Sequence, residues 1–318
     1  MDDGHHEALA VLGAGTMGHS IALAAALAAW PVRLWGVSPR DLETARRRML
    51  RKLDTLTEEG ALPDAERGRV LARIDFTESQ SWCVEGAALV VEATPEDLGH
   101  KQAFFRAVEP LCGPDAIIAS NSSGLSPTAI FQQMTCPTRG LVMHFWNPAH
   151  LMPLVEVVPG HHTTRGTVSR ALDSLRQMGK QAIVVRREVP GYLGNRLQYA
   201  LFREAQYLLE QGVASAADID LAAELTLGRR LGLTGPFRTA DMGGLDVFHA
   251  ISGYLFPSLS TEHESGSALR ALVDQGALGE KAGRGFYAWS DEASRAMERT
   301  RERDLIRWWM RDRGSADA

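Results

Sequence analysis

Leu9-Ala10-Val11-Leu12-Gly13-Ala14-Gly15-Thr16-Met17-Gly18 is an apolar run that opens into three glycines spaced G-x-G-x-x-G, with a further apolar stretch from Ile21 to Trp30 behind it. Each glycine meets a different steric demand. Gly13 permits a tight turn out of a strand, Gly15 lets backbone approach a pyrophosphate, and Gly18 lets helix and strand pack closely. Thr16 and Met17 complete a loop that leaves a helix N-terminus pointing at an anion. The glycine pattern alone is a weak signal. Between a strand and a helix, at the start of the chain, it predicts the first βα unit of a dinucleotide-binding domain.

Outward from that loop, apolar runs at 8–13, 32–35, 89–93, 117–120, 140–145, 154–158 and 182–185 read as strands. Val, Ile and Leu dominate most of them, as in strands buried on both faces of a mostly parallel sheet. Stretches 40–59, 101–111 and 164–178 have helical periodicity. The alternation predicts an α/β fold with a Rossmann-type, doubly wound, mostly parallel sheet over residues 1–187. After Val189-Pro190-Gly191 no strand pattern remains, and 195–211, 216–227, 242–256 and 293–311 read as helices. Ser215, with Asp218 three residues on, starts the second of these, and Gly228 closes it. Residues 188–318 are thus expected to form an all-helical domain for substrate and dimerisation.

Composition sets the class of partner. The 318-residue chain is 45% hydrophobic and 23% charged, which is ordinary for a globular protein. A net charge of -5 gives no general attraction to nucleic acid or an anionic membrane, so neither is expected as a partner and any anion site must be local. The start, Met1-Asp2-Asp3-Gly4-His5-His6, lacks the basic residues of a signal peptide, and 21–30 is too short to span a bilayer. Cys83, Cys112 and Cys136 have no metal-ligand spacing, so no metal is expected; they read as reduced thiols in a cytoplasmic protein.

The cofactor is left open between NAD and NADP. The position after 32–35 should carry an acid for the ribose 2′-hydroxyl, but it is Gly36. That removes the repulsion against a 2′-phosphate, and Ser38 and Arg40 follow closely enough to bind one.

His144 ends an apolar strand in Val142-Met143-His144-Phe145-Trp146-Asn147-Pro148. Glu156 lies within Pro153-Leu154-Val155-Glu156-Val157-Val158, where a carboxylate needs a partner to offset its desolvation. Paired, the two form an oriented general base.

The His-Phe-x-Asn-Pro segment, with its glutamate twelve residues on, resembles the 3-hydroxyacyl-CoA dehydrogenase superfamily. Glu92-Ala93-Thr94-Pro95-Glu96-Asp97, with Lys101, is similar to that family's segment beside the nicotinamide ribose. Asn121-Ser122-Ser123 is similar to its active-site serine turn, and Pro190 to Arg196 to the hinge that supplies its asparagine. Two branches compete. The segments Pro95 to Leu98, Pro153 to Glu156 and Asn195 to Ala200 look most like the branch of L-gulonate 3-dehydrogenase and lambda-crystallin, to which carnitine dehydrogenase is related. Glu280-Lys281-Ala282-Gly283-Arg284-Gly285-Phe286-Tyr287 instead resembles 3-hydroxybutyryl-CoA dehydrogenases.

The resemblance implies that His144 takes the proton of a substrate 3-hydroxyl while Glu156 holds the imidazole. It implies Ser123 and Asn195 as hydrogen-bond donors to the reacting oxygen, and Glu96, Lys101 and Asn147 as positioners of the nicotinamide ribose and ring. It also implies a homodimer. The competing readings make Ser123 and Asn195 helix caps, Lys101 a solvated surface residue, and the whole chain a crystallin-like structural protein. Free polar 3-hydroxy acids of the L-gulonate or carnitine type compete with thioesters as substrate. Arg46, Arg47, Arg48, Arg51 and Lys52 offer cations for coenzyme A phosphates or form a solvated face, and the Trp308-Trp309 region reads as a helix docked on its own or a partner subunit.

Overall fold

Unbroken apolar runs can be satisfied only where neighbours cover both faces, and the computed structural model, which describes residues 8–314, places them there. His5 and His6 lie outside the described residues. Eight strands form one sheet: β1 (Leu9–Leu12), β2 (Val32–Trp35), β3 (Ile74–Thr77), β4 (Leu89–Glu92), β5 (Ile117–Ser120), β6 (Gly140–Phe145), β7 (Leu154–Pro159) and β8 (Gln181–Val184). Their order is β3-β2-β1-β4-β5-β6-β7-β8. From β3 to β6 the sheet is parallel; β7 runs antiparallel to β6, and β8 parallel to β7. The chain leaves β1 first toward β2 and later toward β4. Strand order therefore reverses at β1, and the crevice beyond the ends of β1 and β4 is where such sheets bind ligands.

The sheet carries α1 (Thr16–Leu27), α2 (Pro39–Glu58), α3 (Asp64–Ala72), α4 (Gln80–Val84), α5 (Leu98–Val108), α6 (Pro127–Ile130) and α7 (Arg165–Gln177). In α2, Leu42, Ala45, Met49, Leu53 and Leu56 recur at helical spacing and are buried. Arg46, Arg47 and Arg51 on the other face are exposed, whereas Arg48 and Lys52 are half-buried. Strand β3 escapes a reading by pattern. Its Ile74-Asp75-Phe76-Thr77 is short, mixed in polarity, and takes its strand conformation from pairing with β2 at the sheet edge.

Contacts divide the described residues into two units: 8–195 with 299–314, and 196–298. The helices here are α8 (Gly194–Glu210), α9 (Ala216–Ala222), α10 (Arg229–Gly243), α11 (Leu245–Leu255), α12 (Ser267–Asp274) and α13 (Asp291–Gly314). Ser215 caps α9 as expected, accepting a hydrogen bond from the Asp218 amide. Gly228 does not close that helix. A π-helical segment, Ala223–Gly228, carries the coil directly into α10, which is kinked at Gly235-Pro236. Helix 242–256 is correspondingly two helices, broken between Gly243 and Leu245.

The grouping differs from a boundary at 187/188 in two respects: residues 188–195 and the last turns of α13 belong with the sheet. Ile306 is buried there, Leu305 and Trp309 pack against the same core, and Arg303 Nε donates to Glu59 Oε1 at 2.7 Å. The apolar face of the Trp-rich helix is thus docked on its own first unit. Among the described residues, no helix is long and apolar enough to cross a membrane.

Candidate active site

The glycine loop has the shape its sequence demands. Gly13 sits at φ +121°, where a Cβ would lie 2.6 Å from the Ala93 carbonyl oxygen. Beyond it, Gly15 starts α1 without any side-chain cap, and the space beside it is open, with no atom within 4 Å of a notional Cβ. Thr16 and Gly15 are exposed, whereas Met17 packs partly against the core. An uncapped helix N-terminus facing open space fits a dinucleotide pyrophosphate, whose charge would take the leading amides of α1.

After β2, a Cβ on Gly36 would point between Leu42 Cδ2, at 2.7 Å, and Ala14 Cβ, at 3.2 Å. The position therefore adjoins the glycine loop, and Leu42 fills the room that an acid would use. Ser38 caps α2, accepting from the Asp41 amide at 3.2 Å and donating to Asp41 Oδ2 at 2.8 Å. Arg40 is exposed on the first turn of α2.

His144 and Glu156 stand opposite one another in the β6–β7 register. Both are buried, and His144 Nδ1 lies 2.7 Å from Glu156 Oε2. The other carboxylate oxygen accepts from the amides of Leu193 at 2.9 Å and Gly194 at 3.0 Å, where α8 begins. Burial pushes the Glu156 carboxyl up, but the bond to His144 and the two amides outweigh it and hold it below its usual range. A carboxylate fixed as an anion at Nδ1 leaves Nε2 of the same ring for proton transfer. The imidazole lies against the rings of Trp146, with centroids 4.9 Å apart, and Tyr192, at 5.7 Å.

The remaining candidates cluster around the serine turn after β5. Asn195, in the first turn of α8, donates from Nδ2 to the Ser123 carbonyl at 2.8 Å. Glu96 Oε1 accepts from Ser122 Oγ at 2.6 Å and from the Ser123 amide at 2.8 Å. Asn121 Oδ1 accepts from the Phe145 amide at 2.8 Å, tying this turn to the residue after His144. Ser123 does not cap the following helix; Ser126 does. Lys101 is no surface residue, being buried against Glu92. Asn147 is exposed on the turn after β6, before a cis bond to Pro148.

Glu92 is a second buried carboxylate in this region, and its sequence context gave it no role of its own. The signal it did carry was that of an acid closing the buried run Leu89-Val90-Val91, as demanding of partners as Glu156 in its own strand. Among the described residues, no cluster of three or more His, Cys, Asp or Glu could hold a metal ion.

Comparison with known proteins agrees with this fold. The family model for the NAD-binding domain of 3-hydroxyacyl-CoA dehydrogenase matches residues 8–189, and that for its C-terminal domain matches residues 191–289. The chain is 34% identical over 300 residues to 5-formyl-3-hydroxy-2-methylpyridine 4-carboxylate 5-dehydrogenase of Mesorhizobium japonicum, spanning 94% of this chain and 96% of that one. A solved structure of that kind of enzyme, described as an NAD+ dependent dismutase, superposes with a TM-score of 0.90 at 32% identity, covering 97% and 99% of the two chains. A probable 3-hydroxybutyryl-CoA dehydrogenase of Bacillus subtilis is 34% identical over 285 residues, covering 89% and 98%. L-carnitine dehydrogenase of a Pseudomonas species is 34% identical over 243 residues, covering 76% and 74%.

Proposed function

The chain belongs to the 3-hydroxyacyl-CoA dehydrogenase family, as an NAD(P)-dependent oxidoreductase of CH–OH donors, and on that premise we propose that His144 is its general base. The substrate is a 3-hydroxyacyl thioester or a 3-hydroxy acid. The observation that carries this reading is the buried His144–Glu156 pair, with Glu156 locked by the first amides of α8 beside Asn195.

The bound nicotinamide supplies the hydride acceptor. The glycine loop at Gly13, Gly15, Thr16, Met17 and Gly18 would hold the pyrophosphate, with Gly36, Ser38 and Arg40 toward the adenosine ribose. Glu96, Lys101 and Asn147 would hold the nicotinamide end. His144 takes the hydroxyl proton through Nε2, and Glu156 keeps the ring oriented and favours its charged form. Ser123 and Asn195 hydrogen-bond the oxygen as its charge develops.

A second substrate class is favoured by one observation. The family's C-terminal model ends at residue 289, whereas the match to the pyridine-carboxylate enzyme runs nearly end to end in both chains. That enzyme acts, by its name, on a formyl-bearing ring acid. An aldehyde hydrate presents a C–H and an O–H to the same base, and loss of its hydride and proton leaves a carboxylic acid. Initial rates for 3-hydroxybutyryl-CoA, L-gulonate, carnitine and a formylpyridine carboxylate, each with NAD and with NADP, decide among these. No turnover of any of them would sink the reading.

The working form is a homodimer built on residues 196–298. Only Ser260 and Ala277 are buried in that unit, while Phe237 is 87%, Met242 78% and Tyr254 70% exposed. Apolar surface on that scale marks an interface, and a two-fold copy is the commonest way to cover one. The acidic net charge supports a small-molecule partner over nucleic acid, and three free cysteines support a reducing, cytoplasmic setting.

A further inference from the structure

Glu92 and Lys101 are the most deeply buried opposite charges in the molecule's site region, at 0% and 1% exposure. Lys101 Nζ donates to both carboxylate oxygens of Glu92, at 2.8 and 2.9 Å, and lies 3.4 Å from Glu96 Oε2. Glu92 takes three more donors: the Thr94 amide at 2.6 Å, Thr94 Oγ1 at 2.5 Å, and Ser120 Oγ at 2.6 Å. Ser120 Oγ in turn accepts from the Ser122 amide at 3.3 Å.

Two routes therefore run from Glu92 to the serine turn. One passes through Ser120 to the Ser122 backbone. The other passes through Lys101 to Glu96, which grips Ser122 Oγ and the Ser123 amide. The charges explain why this matters. Two carboxylates share one ammonium, and the buried one takes the closer contact, which leaves Glu96, 43% exposed at its side chain, free for the serine turn and for a ligand. If Glu92 lost its charge, the full attraction of Lys101 would fall on Glu96, because a buried ammonium cannot remain unpaired. Glu96 would be drawn inward, away from Ser122 and Ser123.

We propose that Glu92 is a positioning residue for dinucleotide binding: by holding Lys101 and Ser120 it sets where Glu96 and the Ser122–Ser123 turn stand. This rests on the dinucleotide-binding reading above. Glu92 touches no reacting atom, and its effect is exerted through Lys101.

The test is a double-mutant cycle on the full-length protein, with NADH and NADPH titrated by nicotinamide fluorescence and turnover measured in parallel. Glu92→Gln keeps the size and most of the hydrogen bonds but removes the charge. It should weaken dinucleotide binding about tenfold or more, the scale of a charge-assisted hydrogen bond, while kcat at saturation falls far less. Lys101→Met should weaken binding similarly. The double variant should bind no worse than Lys101→Met alone, because the lysine is the carrier of the effect. Independent losses that multiply in the double variant would overturn the proposal, as would unchanged binding in Glu92→Gln alongside a lowered Tm. Should Glu92→Gln fail to fold, Glu92→Asp withdraws the carboxylate by one methylene from Lys101 and Ser120, and binding weakened more than kcat is again required. A wild-type protein that binds neither dinucleotide would refute the family-based reading itself, not this inference alone.

Discussion

The first unit and residues 196–298 solve the same problem in opposite ways. In the first, α2 turns Met49 and Leu53 into the core built on the sheet and leaves most of its arginines outside. In the second, α10 and α11 carry Leu233, Phe237, Met242 and Tyr254, all exposed. Sequence pattern supplies apolar faces in both. Only the first finds the matching surface within its own chain, because a sheet offers two broad faces and short helices offer narrow stripes. The lesson is that an apolar stripe states a need for a partner without saying where the partner resides.

The most severe way to break this contrast is at the packed end. His144→Gln should lower kcat by about two to four orders of magnitude, the range for loss of a general base, with dinucleotide affinity unchanged. Turnover within a few-fold of wild type would reduce His144 to a core histidine. At the exposed end, light scattering at micromolar concentration should give about twice the 34.7 kDa chain mass. Replacing Phe237 and Met242 together by Asp should weaken association roughly a hundredfold or more, as central apolar anchors do. A fully active wild-type protein at the single-chain mass would remove the dimer.

Smaller effects sharpen the first unit's account. Gly36→Asp puts an acceptor beside the glycine loop once the end of Leu42 turns aside. The ratio of kcat/KM for NAD over NADP should rise roughly tenfold to a hundredfold, the scale of a hydrogen bond to a charged group. An unchanged ratio would mean that residue 36 does not face the ribose.

The mildest test is acid. Burial lowers His19 to about 4 and His150 well below its usual value, and Glu156 is also lowered. Each group binds its proton more readily when unfolded. Stability is therefore complete above about pH 6.5 and falls as His19 and His150 are forced to stay neutral. The slope for each histidine is about 1.4 kcal/mol per pH unit until its folded pKa is reached. Glu156 adds a further loss below the ordinary carboxylate range. All three sit in the first unit, so hydrogen exchange from pH 7 to 4 should show protection lost there. A flat denaturation midpoint over that range would contradict the buried, neutral histidines.

The sequence by itself determined seven of the sheet's eight strands, the glycine loop, the His144–Glu156 pair and the change to helices near residue 190. These follow from local causes: runs long enough to be strands, glycines that alone fit a turn, and a carboxylate that could not be buried without a partner. It did not determine β3, whose mixed residues become a strand only because β2 offers an edge. Nor did it determine that Gly228 is read through, because a glycine ends a helix only when the chain has somewhere else to go. The fate of α13 was open for the same reason as the rest of the helical half: its apolar face could have met any surface. Tertiary structure decided that its last turns meet the first unit's core, through Ile306 and Trp309. Glu92 shows the same limit in the site. A strand ending in an acid announces a need, but the lysine nine residues on meets it only once α5 has folded back over the sheet.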